Sequence, residues 1–203
     1  SLLILCAAAI VLFATPVHAC TSAVVSGKVT LDGRPLLWKN RDTDFMRNHV
    51  DYVKGERYDF IAVVNSANAY LKEAWMGTNS AGFALMNTQS YNLVDVKGDE
   101  ERGAANGRVI YRALEVCATV EDFCHFLDTI SKPSDIEANF GVIDAQGGAA
   151  MFEVDYYKYV MYDANNPKDA PYGYIARTNF SFAGKVNEGA GYVRYMEADQ
   201  VPV

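Results

Sequence analysis

An α+β layered fold is predicted by three features of this sequence. Short segments rich in β-branched and aromatic residues recur from residue 21 to residue 89 and again from 139 to 179. Between them lie two consecutive stretches with apolar residues at helical spacing. No internal repeat and no interdomain linker interrupts the chain, so its 203 residues are read as one domain with strands layered around two central helices.

The elements follow in order. Thr21 to Thr30 and Pro35 to Asn40 are read as a hairpin, with Asp32-Gly33 supplying a type I′ turn. A turn centred there sets Cys20 opposite residue 45. It also puts Arg41, Asp42 and Asp44 at the end of the hairpin that holds Cys20. Tyr58 to Asn65 is the next strand. Lys72 to Thr78 and Gly82 to Thr88 flank a tight turn, Asn79-Ser80-Ala81-Gly82. Residues 89–106 are polar and contain glycine, as a long loop does. Gly107 to Cys117 carries apolar residues at 109, 110, 113, 114 and 117, which is one face of a helix. Thr119 and Asp122 then form a capping box with Asp in place of Glu, opening a helix over Glu121 to Ile130 that Pro133 stops. Strands resume at Asn139 to Asp144, Ala149 to Asp155, Tyr157 to Tyr162 and Tyr174 to Asn179.

Composition removes several function classes. Half of the residues are hydrophobic and 21% are charged, which excludes disorder. A net charge of −7 argues against nucleic acid or an anionic membrane surface as partner. Four cysteines are too few for a disulfide scaffold. No cluster of His, Cys and Asp has metal-ligand spacing and no glycine-rich phosphate loop is present, so no cofactor is called for. A compact soluble domain that takes a small molecule or peptide remains, with homo-oligomerisation open.

The first nineteen residues stand apart. Leu2 to Phe13 is an uncharged apolar run, long enough for a signal-peptide core and too short to span a bilayer. Val17 and Ala19 are small residues at the −3 and −1 positions of a cleavage site. The sequence therefore predicts a signal peptide over 1–19, an exported domain over 20–203, and no stable membrane insertion after cleavage. The missing basic start and initiator Met predict truncation at the N-terminus. The stop at Val203, without a helix cap, predicts it at the C-terminus.

Cleavage after Ala19 makes Cys20 the first mature residue, and the chemistry starts there. A terminal Cys carries a nucleophile and a free α-amine on one residue. The amine titrates near 7.7–8.0 and the thiol near 8.5, roughly, so the amine can take the thiol proton without a histidine. Histidine is scarce: His18 leaves with the leader, and His49 and His125 are the two others. Alternatives are lipid acylation of Cys20, giving an anchored or secreted non-catalytic binding domain, and a structural thiol. Arg41 beside a Cys favours the thiolate, and Asp42 or Asp44 can hold the α-amine in line. Asn87 and Asn179 end strands, and a side-chain amide can serve as donor to a tetrahedral oxyanion. Cys117 and Cys124 are read as core thiols.

Four strings carry a resemblance: Cys20-Thr-Ser-Ala-Val-Val-Ser-Gly, Trp38-Lys-Asn-Arg-Asp42, Gly77-Thr-Asn79-Ser-Ala-Gly82-Phe-Ala-Leu-Met-Asn87 and Arg177-Thr-Asn179. Together they resemble N-terminal-nucleophile hydrolases acting on linear amides, of the choloylglycine hydrolase and penicillin V acylase type, and more closely the isopenicillin-N acyltransferase-like branch. The resemblance covers residues 20 to 197 in order. It implies a four-layer αββα sandwich, here incomplete at the C-terminus, and a small-molecule amide substrate. It also implies Cys20 as nucleophile, Asp42 as the residue orienting its amine, Asn87 as oxyanion donor and Asn179 as an orienting or oxyanion residue. Arg194 resembles a late active-site Arg. In the bile-salt branch the early Arg stands three residues before the Asp, whereas Arg41 is adjacent to Asp42. Hydrolysis and acyl transfer both stay open, as does an inactive relative.

Overall fold

The structure, a computed structural model, describes residues 20–94 and 103–199. The expected leader (1–19), the end at Val203 and part of the expected long loop (95–102) lie outside the described residues.

Two antiparallel sheets are stacked. The smaller has the order β10-β1-β2, with β1 Thr21–Val25, β2 Leu36–Asn40 and β10 Tyr174–Arg177. The larger runs in sequence order through β3 (Asn48–Val53), β4 (Phe60–Asn65), β5 (Met76–Asn79), β6 (Ala84–Gln89), β7 (Ala138–Ile143), β8 (Ala149–Val154) and β9 (Tyr159–Asp163). Helices α1 (Asn106–Val116) and α2 (Val120–Thr129) interrupt this meander between β6 and β7. α3 (Tyr192–Asp199) packs against β10, and Tyr174 donates from its hydroxyl to the Asp199 carbonyl at 2.8 Å.

The helices cover one face of the large sheet. Val109, Ile110, Ala113 and Leu114 of α1 and Phe123 and Leu127 of α2 bury against Phe60, Leu85, Phe140 and Phe152. The capping box is present: the Thr119 side chain accepts from the Asp122 N–H, and the Asp122 carboxylate accepts from the Thr119 N–H. At the other end of α1, Asn79 in the β5–β6 turn donates to the Leu114 and Cys117 carbonyls at 2.9 and 2.7 Å. One polar side chain thus serves two orphan carbonyls of a helix end.

The opposite face of the large sheet meets the small sheet, and it is banded. Register aligns Met86, Gly141 and Met151 across β6, β7 and β8, facing Val24, Leu37 and Ile175. Gly141 permits this approach, because a Cβ there would collide with the Met86 methyl and sit 2.9 Å from a Val24 methyl. Two residues further along the strands, Thr88, Asn139 and Glu153 align as a polar band. Glu153 pairs with Arg177 at 2.7 Å, both fully buried, and Asn139 donates toward the carbonyls of Thr178 and Phe180. With both faces covered, β8 is buried at every position.

Three expectations need correction. The first hairpin is not closed by Asp32-Gly33. β1 ends at Val25, and residues 26–35 form a loop with a 3₁₀ turn at Gly27–Val29. Tertiary bonds set that length: the Ser26 N–H donates to the Gly173 carbonyl and its hydroxyl to Asn165 Oδ1. The observed register pairs Thr21 with Asn40, so the next position sets Cys20 beside Arg41 rather than residue 45. β3 and α3 were not expected; β3 is an edge strand with no buried residue, and α3 has none either. The other expected strands and both central helices are present, with ends shifted by a few residues.

Candidate active site

Five separate segments meet at one cavity of about 330 Å³. Its lining includes Cys20 before β1, Lys39 and Arg41 on and after β2, Asp42, Trp75 before β5, Asn87 on β6 and Asn179 after β10. Cys20, Arg41, Asp42, Asn87 and Asn179, all singled out in the sequence, are thus brought together. Arg194 does not line the cavity but donates to the Cys20 carbonyl. Asp44, the other acidic candidate, is not among the lining residues.

Cys20 is half-buried, and its thiol donates to the Asp42 carbonyl with Sγ and O 3.6 Å apart. Antiparallel pairing of β1 with β2 brings them together: Thr21 opposite Asn40 forces the residues beyond each strand end to meet. Arg194 fixes the same residue from the other side. Its Nη1 donates to the Cys20 carbonyl at 2.6 Å and to Thr21 Oγ1 at 2.9 Å, while Nη2 donates to Asn179 Oδ1 at 3.2 Å. Gly191, at φ +89°, makes room for this guanidinium, since a Cβ there would collide with Arg194 Nη2. The Asn179 amide also donates to the Gln89 carbonyl at 2.8 Å, so both ends of that amide are held.

Arg41 reaches the other way, across to the large sheet. It donates to Asn65 Oδ1 at 2.8 Å and to Asn48, and its guanidinium lies over the Trp75 ring, 5.0 Å from the centroid. Burial lowers its pKa, and the nearby Cys20 sulfur raises it. The other two thiols differ from Cys20. Cys117 is buried in the helix-side core, where burial pushes its pKa up to about 12, and burial also raises Cys124.

Lys39 was not singled out in the sequence, yet it is the most deeply placed charge at the site. β5 begins at Met76, opposite Met86, so Asn87 lies past the end of its neighbour strand. Lys39 fills the notch, donating from Nζ to the Trp75 carbonyl at 2.9 Å and to Asn87 Oδ1 at 3.0 Å. Desolvation pulls its pKa down to about 7, against a smaller upward pull from Cys20, and Arg41 lowers it further. Period-two alternation was a signal that could have found it, because Lys39 shares a face of β2 with Leu37. It also stands three residues before Asp42. A separate apolar cleft of about 380 Å³ lies between Leu36 and Leu37 of β2 and Val50, Ile61, Val63 and Met76 of the large sheet, and it shares no lining residue with the site cavity.

No group of three or more His, Cys, Asp or Glu side chains that could hold a metal ion exists among the described residues. No described helix is long and apolar enough to cross a membrane.

Comparison with known proteins agrees with this fold. No curated protein matches the sequence. Among solved structures, the Caenorhabditis elegans N-acylethanolamine-hydrolyzing acid amidase ortholog superposes with a TM-score of 0.57 at 15% identity, covering 80% of this chain and 70% of its own. A mutant of conjugated bile acid hydrolase from Clostridium perfringens gives 0.51 at 15% identity, covering 71% of this chain and 50% of its own. The chain therefore spans about half the length of that hydrolase. Both have the N-terminal-nucleophile hydrolase fold, and the helix–sheet–sheet order here, with α3 against β10, fits its αββα sandwich. A family model matches residues 30–194, a span that holds every candidate residue except Cys20. The chain belongs to the acyl-coenzyme A:6-aminopenicillanic acid acyl-transferase family.

Proposed function

We propose that this chain is an exported cysteine amidase or acyltransferase that works through a thioester on Cys20. The observation that carries the reading is the meeting of Cys20, Asp42, Asn87 and Asn179 at one cavity, each from a different part of the chain. Removal of residues 1–19 frees the α-amine of Cys20, and export and activation then share one cut. The amine takes the thiol proton as Sγ attacks the substrate carbonyl. The C–S bond forms, and the carbonyl electrons move to oxygen. The Asn87 amide, and the second N–H of the Asn179 amide, supply donors for that oxyanion. Asp42 holds the ammonium in line. Collapse breaks the C–N bond and returns the proton to the leaving amine, leaving a thioester. Water then releases a carboxylic acid, or a second amine takes the acyl group.

Several linear amides are candidate substrates: conjugated bile salts, N-acylethanolamines, penicillin V, N-acyl amino acids, acyl-homoserine lactones and peptide-like amides. Along β2, Leu37 lines the apolar cleft and Lys39 the site cavity, and an amide whose apolar acyl group extends from one to the other would suit both.

The test is the intact mass of the exported protein before and after iodoacetamide. The expected result is a mass that begins at Cys20, with one rapid adduct that maps to Cys20 and disappears in Cys20→Ser. Cys20→Ser should also lose cleavage of every amide the wild type accepts. A lipid-sized increment on Cys20 would overturn the reading in favour of an anchored, non-catalytic domain. So would an active protein that still carries residues 1–19.

A further inference from the structure

Lys39 has no part in the steps just described, yet it occupies the centre of the site. Lys39 is half-buried, but its amine end is desolvated, and a lysine nitrogen held out of water needs acceptors around it. Here Nζ touches two acceptors, the main-chain oxygen of Trp75 and Oδ1 of Asn87. The first anchors the lysine to the large sheet. The second acts on the residue expected to receive the oxyanion.

An asparagine amide has one acceptor end and one donor end, and rotation by half a turn exchanges them. Whichever end meets Lys39 decides which end faces the cavity. Nζ has only donors to offer when charged, and two donors remain when it is neutral. The charged amine can therefore meet only Oδ1, and Nδ2 is left on the opposite side of the amide. Burial of Asn87, 3% exposed, prevents water from competing for Oδ1. Lys39 itself is held in place by its strand: its neighbour Thr21–Asn40 pair closes the end of β2, and Ser22 stands directly opposite it on β1.

We propose that Lys39 is a positioning residue for acyl transfer: it clamps Asn87 Oδ1 so that the Asn87 amide presents Nδ2 to the oxyanion. The proposal rests on the amidase reading above. It assigns Lys39 no contact with substrate, so its loss should damage turnover far more than binding, and the lost attraction between Lys39 and Cys20 should slow the nucleophile by a few-fold at most.

Lys39→Met, which keeps much of the side-chain volume, is the direct test. Loss of one preorganised oxyanion donor lowers kcat by about 10²–10³-fold. The expected result is a kcat fall of roughly that size on whichever of glycocholate, N-palmitoylethanolamine or penicillin V the wild type cleaves fastest. KM and the rate of Cys20 alkylation by iodoacetamide should stay within a few-fold of wild type. The same substitution placed on Asn87→Ala should cause no further loss, because the donor it positions is already gone. A wild-type kcat, a loss that multiplies with that of Asn87→Ala, or a parallel collapse of Cys20 alkylation would each overturn the proposal.

Two further measurements cover a Lys39→Met protein that does not fold, or a wild type that cleaves none of the three amides. Asn87→Asp keeps the oxygen for Lys39 but has no N–H, so it should fold and yet show the same kcat loss; wild-type turnover would count against the clamp. The side-chain NH₂ signals of Asn87 in a ¹⁵N–¹H spectrum, identified by their absence in Asn87→Ala, should shift in Lys39→Arg more than any other asparagine pair. Unmoved signals would show that Lys39 does not hold the amide. Failure of the amidase reading is distinct: Cys20 would then resist iodoacetamide in the wild type itself.

Discussion

The two faces of the large sheet are built on different principles. Toward α1 and α2 the contacts are almost wholly apolar, and Phe123 packs edge-on or tilted against Phe83, Phe140 and Phe152. Toward the small sheet, apolar packing gives way within two residues to Thr88, Asn139 and Glu153, and the site lies at that polar end. The first face is stabilised by area removed from water, which is tolerant of detail. The second depends on every buried polar group having a partner, which is not. The same strands serve both faces through period-two alternation, so a stable scaffold and a polar, exacting site share one backbone.

The largest expected effect tests the apolar face. Phe123→Ala removes the ring at the centre of the aromatic cluster, where Phe123 has no exposed area. A loss of about 3–5 kcal/mol is expected from urea unfolding, with the slope unchanged. Iodoacetamide labelling of Cys20 in the folded protein should stay near wild type, since no cluster residue lines the site cavity. Loss of labelling in a folded variant would mean the two faces are not separable.

A change of comparable size but opposite logic tests the polar band. Glu153 accepts from Arg177 Nε and from the Phe182 and Ala183 N–H groups, and the Arg177 guanidinium stacks on Phe182, 3.9 Å from its centroid. Arg177→Met leaves a buried carboxylate without its cation and should cost about 3–5 kcal/mol. Adding Glu153→Gln should recover part of that loss, because the unpaired charge is then gone. Recovery would show that the penalty belongs to the orphaned charge. No recovery would assign it to lost packing over Phe182.

How much of each region is legible in the sequence follows the same division. Helices α1 and α2 were readable because their apolar spacing and the Thr119–Asp122 box are local signals. β3 was not readable: in NHVDYV only Val50, Asp51 and Tyr52 alternate, too short a run to mark an edge strand with no buried residue. α3, likewise without a buried residue, was not readable either. The first hairpin was misread because its loop is held by Gly173 and Asn165, far away in sequence. At the site, Cys20, Asp42, Asn87 and Asn179 stand in the four strings that carry the resemblance, and the structure brings them to one cavity. Lys39 was passed over inside one of those strings, since a lone lysine in a charged run reads as solvated. Its alternation with Leu37 along β2 hints that it points inward, and the stacking of β2 on the large sheet shows what it meets there.

The smallest expected effect sharpens the comparison where the apolar face is itself polar at one point. The Thr119 hydroxyl accepts from the Asp122 N–H at 3.0 Å, and Asp122 Oδ2 accepts in return from Thr119 and Ala118 at 3.1 and 2.8 Å. These bonds hold the start of α2, whose Val120 N–H is taken in turn by Asp144 Oδ2 at 2.9 Å in the β7–β8 turn. Thr119→Ala removes one acceptor and should cost about 1 kcal/mol, read as a lower urea midpoint. Thr119→Ser keeps the oxygen and should cost less than half as much. If both variants fall equally, the Thr119 methyl matters more than its hydroxyl. The helix face would then be apolar even at its cap, and the contrast between the two faces of the sheet would be sharper still.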